Sequence, residues 1–124
     1  MKNGKPVILC VDDDKDILET LKVVLEANGY SVRTAGTGEA AFTVWQAEKP
    51  DLVIVDLMME EVDAGTSLVM RLKAQGNTAP VFLLSSVGEQ LGRSIDYHQL
   101  GLAGVFQKPI EPATLLKTLK QHLK

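Results

Sequence analysis

Cysteine is nearly absent from this chain. Cys10 stands alone among 124 residues, so no internal disulfide can form, and no Cys or His is spaced to share a metal with it. Long apolar runs are missing as well: none approaches the ~20 residues that a membrane-crossing helix needs. The opening Met1-Lys2-Asn3-Gly4-Lys5 has none of the apolar length of a signal peptide, which predicts a cytoplasmic protein. A basic excess is lacking too. The net charge is −3, from 13 basic and 16 acidic residues, and non-specific nucleic-acid binding by the domain itself wants the opposite sign. Repeats, low-complexity stretches and linkers are also missing, and the length suits one core.

What is present is ordinary globular material, 45% apolar and 23% charged. Short apolar runs alternate with amphipathic stretches, the pattern of βα units around a parallel sheet. Val7 to Val11 reads as a fully apolar strand ending in Asp12-Asp13-Asp14. Asp14 or Asp16 then caps a helix carrying Ile17, Leu21, Val24 and Leu25, and Asn28-Gly29 stops it. Ser31 to Ala35 is a short edge-like strand, and Thr37 caps a helix through about Ala47 that turns Ala41, Val44 and Trp45 inward. Lys49-Pro50 breaks it. Leu52 to Val55 forms the most buried strand, ending in Asp56, and a helix follows with Leu68, Val69 and Leu72 on its inner face.

Pro80 to Leu84 is read as the fourth strand with Ser85 at its exit, and residues 87–100 as a helix weakened by Gly88 and Gly92. Ala103 to Gln107 is the fifth strand, running into Lys108-Pro109, and Pro112 opens a last helix with Leu115, Leu116, Leu119 and Leu123 inward. Five strands and five helices with right-handed crossovers make a three-layer, doubly wound α/β fold over residues 1–124. Ligands of such folds sit beyond the carboxyl ends of the strands, which puts Asp12, Asp13, Asp56, Ser85 and Lys108 on one rim.

Three carboxylates ending two neighbouring buried strands repel one another unless a cation lies between them. Mg²⁺ is the natural candidate, because it takes hard oxygen ligands and keeps places for water and phosphate oxygens. Asp56 would then serve as nucleophile toward a phosphoryl group, with Lys108 supplying positive charge and Ser85 a hydroxyl donor.

Val11-Asp12-Asp13-Asp14, Val55-Asp56-Leu57-Met58-Met59, Leu84-Ser85 and Lys108-Pro109, in this order, resemble the response-regulator receiver domain over essentially the whole chain. The resemblance implies a flavodoxin-like (βα)5 fold with a five-stranded parallel sheet in the order 2-1-3-4-5. It also implies a two-component or phosphorelay switch that accepts a phosphoryl group onto Asp56 from a phosphohistidine on a sensor kinase or phosphotransfer protein. Asp13 and Asp56 would bind Mg²⁺ directly, Asp12 through water, and the Met58 carbonyl would be a further ligand. Ser85 would move to the phosphoryl group, Lys108 would pair with it, and the bond before Pro109 would be cis. Met58 and Val87 occupy positions that tune phosphoryl lifetime in such domains. Both are apolar and cannot orient water, so self-dephosphorylation is expected to be slow. An output domain or a downstream protein would read the switch through the last two helices and the fifth strand.

Departures from the family pattern are Glu60 where Pro is usual, Ala64 where Gly is usual, and one extra residue near Gly65. Val105 replaces the customary aromatic three residues before the Lys, and Phe106, one step on, is expected to face the other side of the sheet. These departures keep alive a degenerate receiver that acts as a constitutive docking module. A small hydrolase using Asp56 is disfavoured, as no acid or base stands at Met58 and so short a chain has no cap over a substrate. A nucleotide or flavin binder is disfavoured by the missing phosphate-binding glycine loop and the acidic turn after the first strand. The plainer readings are that Asp12 to Asp16 only cap a helix, that Tyr97, His98 and His122 lie on the surface, and that Trp45 packs on the core.

Overall fold

A computed structural model of the chain describes residues 4–56, 64–86, 103–108 and 111–123. These form five strands, β1 (Val7–Val11), β2 (Ser31–Ala35), β3 (Leu52–Asp56), β4 (Val81–Ser86) and β5 (Gly104–Lys108). Four helices accompany them: α1 (Lys15–Ala27), α2 (Gly38–Ala47), α3 (Ala64–Ala74) and α4 (Pro112–His122). The helix expected over 87–100 lies outside the described residues.

All four strand pairings are parallel and the order is β2-β1-β3-β4-β5. A parallel sheet is covered on both faces, which is why β1 and β3 are buried and apolar at every position before the terminal Asp56. Side chains of period two divide between two cores. Leu9, Val11, Val53, Val55, Val81 and Leu83 meet Ala41, Phe42, Trp45, Leu68 and Leu72 of α2 and α3. Ile8, Cys10, Leu52, Ile54, Phe82 and Leu84 meet Leu21 and Leu25 of α1 and Leu115 and Leu119 of α4.

The alternation carries through β5. Val105 packs against the α2/α3 core and Phe106 is buried in the α1/α4 core, stacked on Phe82 with centroids 5.0 Å apart. The exposed His122 meets the same Phe82 ring edge-on at 5.1 Å.

Strand β5 runs from Gly104 to Lys108, one residue later at each end than the expected Ala103 to Gln107, and β4 is displaced as well. β4 begins at Val81, because Pro80 has no amide hydrogen and joins the sheet only through its carbonyl, which accepts from Val53 N at 2.9 Å. It continues to Ser86, since Ser85 and Ser86 still pair with Gln107 and Lys108. On α2, Phe42 is buried with Ala41 and Trp45 while Val44 is only partly covered. The inner face is rotated toward α3, where the Arg71 guanidinium lies 3.8 Å from the Phe42 ring centroid.

At the amino ends of the strands, Asp51 ties β3 to β1: Val7 N donates to Asp51 Oδ2 at 2.8 Å and Asp51 N donates to Val7 O at 2.7 Å. Asn77, just after the left-handed Gly76 (φ 91°), accepts from Trp45 Nε1 at 3.1 Å, so the turn after α3 and the end of α2 are joined there.

Candidate metal centre

The carboxyl end of the sheet is where the polar residues gather. Val11 is paired with Val55, so Asp12 and Asp56, one residue further on each strand, leave the sheet side by side. Asp12 is 0% and Asp56 2% exposed, and they are the buried charged residues among the described ones; Asp13 faces solvent. Each of the three offers a carboxylate oxygen, and these oxygens all lie within 4.8 Å of one another.

Local bonds hold Asp12 in place. Its amide donates to Ala35 O at 3.1 Å, the last residue of β2, and its Oδ1 accepts from Asp14 N at 2.9 Å. Asp14 Oδ1 in turn accepts from Asp16 N at 2.9 Å, which identifies Asp14, rather than Asp16, as the cap of α1. The neighbouring Cys10 thiol is pushed up from 9.0 to about 12, first by burial and then by the charge of Asp12, so it stays a neutral core side chain.

Two buried carboxylates at such a separation repel by roughly 3.5 kcal/mol or more at an effective dielectric near 20. The donor set suits Mg²⁺: three hard oxygens and no nitrogen or sulfur. Oxygens bound at about 2.1 Å in an octahedron are about 3 to 4.2 Å apart, a spread these side chains can match directly or through one water. Asp13 is exposed, so the group is open to water on its side.

Across the same edge, Asp56 is paired with Leu84, Ser85 follows it on β4, and Lys108 ends β5 opposite Ser86. The backbone therefore brings Asp12, Asp56, Ser85 and Lys108 to the carboxyl ends of adjacent strands, with Asp13 one residue beyond. Met58, Glu60, Val87, Tyr97, His98 and Pro109 lie outside the described residues, and Ala64 and Gly65 form the start of α3. What sequence reasoning missed is the hold of the Asp14 amide on Asp12, a backbone bond that no residue type announces.

Comparison with known proteins agrees with this geometry, and the chain belongs to the response regulator receiver domain family, whose model matches residues 8–120. It is 32% identical over 117 residues to the alkaline phosphatase synthesis transcriptional regulatory protein PhoP of Bacillus subtilis, covering 94% of this chain and 48% of that protein. It is 34% identical over 124 residues to the probable transcriptional regulator ycf27 of Cyanophora paradoxa, covering 100% of this chain and 51% of the relative. The chain thus spans about half the length of these curated relatives. Among solved structures, the chemotaxis protein CheY4 of Vibrio cholerae matches with a TM-score of 0.84 at 30% identity, over 97% of this chain and all of that one. A CheY-like receiver domain protein from Methanospirillum hungatei gives 0.86 at 26%, over 95% and 93%. The domain is a phosphorylation switch of two-component signalling, a phosphoacceptor by family, and nothing supports the degenerate alternative.

Proposed function

We propose that Asp56 is the phosphoacceptor, and that a phosphohistidine on a sensor kinase or histidine phosphotransfer protein is its donor. The observation that carries this reading is a 2% exposed carboxylate at the end of an apolar strand, with two more carboxylates gathered beside it. An oxygen of Asp56 attacks phosphorus, the P–N bond to the donor imidazole breaks, and its electron pair returns to that ring, which takes up a proton. Asp12, Asp13 and Asp56, with the Met58 carbonyl, would hold Mg²⁺, which neutralises charge on the phosphoryl oxygens when bound. Ser85, next to last on β4, and Lys108, last on β5, supply a hydroxyl donor and a positive charge to the new acyl phosphate.

Residues 1–124 act as one receiver unit, in the cytoplasm, passing the change to an output domain or a downstream protein without themselves binding nucleic acid or membrane. Met58 and Val87 carry no group that can orient a hydrolytic water, so the acyl phosphate is long-lived. Incubation with Mg²⁺ and acetyl phosphate, read by intact mass and peptide mapping, is expected to add one phosphoryl group at Asp56 and to lose it slowly. Asp56→Asn is expected to stay unmodified. Modification of that variant to the same extent, or none in the wild type, would overturn the assignment.

A further inference from the structure

Asp12 is buried beside Asp56, and one of its oxygens is already occupied by a backbone amide. That bond fixes the rotamer of the carboxylate, and the amide that makes it belongs to Asp14. The Asp14 amide is held in turn by the turn it sits in. Asp14 is extended (φ −89°, ψ 108°), its Oδ1 accepts from Asp16 N at 2.9 Å, and its carbonyl accepts from Leu18 N at 3.2 Å. Two successive side-chain-to-amide bonds, 12 from 14 and 14 from 16, therefore couple the start of α1 to the orientation of one candidate ligand. Asp14 itself is exposed and stands outside the set of oxygens gathered within 4.8 Å.

We propose that Asp14 is a positioning residue for the metal centre: its carboxylate caps α1 so that its own amide holds Asp12 in the ligating orientation. This rests on the reading of Asp12, Asp13 and Asp56 as cation ligands. What matters at position 14 is the hydrogen-bond acceptor and not the negative charge. Partners that orient a ligand act on metal affinity by about tenfold or more when removed, although they never touch the ion.

Cap chemistry separates the two effects. Asn and Ser accept from the same amide without a charge, while Ala accepts nothing. Binding of Mn²⁺ to the full chain, followed by electron paramagnetic resonance and competed with Mg²⁺, is expected to weaken about tenfold in Asp14→Ala. In Asp14→Asn and Asp14→Ser it is expected to stay within about twofold of wild type. Thr37→Ala is the control. Thr37 Oγ1 caps α2 by accepting from Ala40 N at 3.0 Å, so its loss lowers stability comparably and is expected to leave metal affinity unchanged.

An Asp14→Asn variant as weak as Asp14→Ala would make charge the cause and overturn the proposal. Unaltered affinity in Asp14→Ala, or equal weakening in Thr37→Ala, would overturn it too. A different failure, wild type binding Mn²⁺ no better than Asp56→Asn, would instead remove the metal centre on which the inference stands.

Discussion

A Cβ built at Gly104 would stand 3.1 Å from Phe82 Cε2 and 3.3 Å from Cδ2, and the Phe82 ring is already stacked on Phe106. The ring has no free side to retreat to without loosening that stack. Gly104→Ala is therefore expected to destabilise the fold by about 1–3 kcal/mol through overpacking, although alanine usually suits a strand better than glycine. A lower urea midpoint with an unchanged slope would be the sign; a midpoint at or above wild type would show that Phe82 moves aside freely. The need for glycine here was not legible, because the ring that imposes it comes from another strand. Opposite facing of Val105 and Phe106 was legible, since the strand period of two needs no knowledge of neighbours. Asp56 was legible for a similar reason: a carboxylate closing a four-residue apolar run has no local structural use. Asp51, five residues earlier, gave no such sign, and only the structure shows it bonded to the β1 backbone at Val7.

Among the elements, those with a local punctuation mark were read well. Thr37 and Asp14 cap α2 and α1 through their own side chains, and Gly29, at a φ of 92°, stops α1. Interior strands β1 and β3 follow from unbroken apolar runs, because a doubly covered sheet leaves no polar face. Where no local mark exists, reading was less sharp. The far end of β4 is set by pairing with β5, so Ser85 reads as an exit and folds, with Ser86 after it, as strand. The rotation of α2 that buries Phe42 depends on α3, whose Arg71 both covers that ring and bridges to Glu39 at 2.8 Å. The rim itself was legible because a parallel sheet sends every strand's last residue to one edge; the Asp14 amide that orients Asp12 was not, because a backbone donor carries no residue-type signature.

For the molecule as a whole, the gathered carboxylates predict that folding and cation binding are linked. A cation that binds only the folded chain stabilises it by mass action, about 2.7 kcal/mol at a hundredfold excess over Kd. Mg²⁺ is accordingly expected to raise the melting temperature of the wild type progressively and a chelator to reverse it. In Asp56→Asn the Mg²⁺-dependent increment is expected to shrink or vanish. Equal increments in both proteins would mean that the cation acts elsewhere.

The two ends of the sheet also differ in what they make visible. The one tryptophan, Trp45, is fastened at the amino end, its indole nitrogen donating to Asn77 and the Lys49 ammonium 3.6 Å from its ring centroid. Asp56 closes the other end of β3, whose five residues span about 13 Å at roughly 3.3 Å per residue. Trp45 emission is thus expected to shift strongly when urea unfolds the chain and to stay nearly constant when Mg²⁺ and acetyl phosphate are added. A pronounced quench on phosphorylation would show that the far end moves with the site. Nature has given this domain an optical gauge of whether it is folded, mounted where it is blind to whether the switch is on.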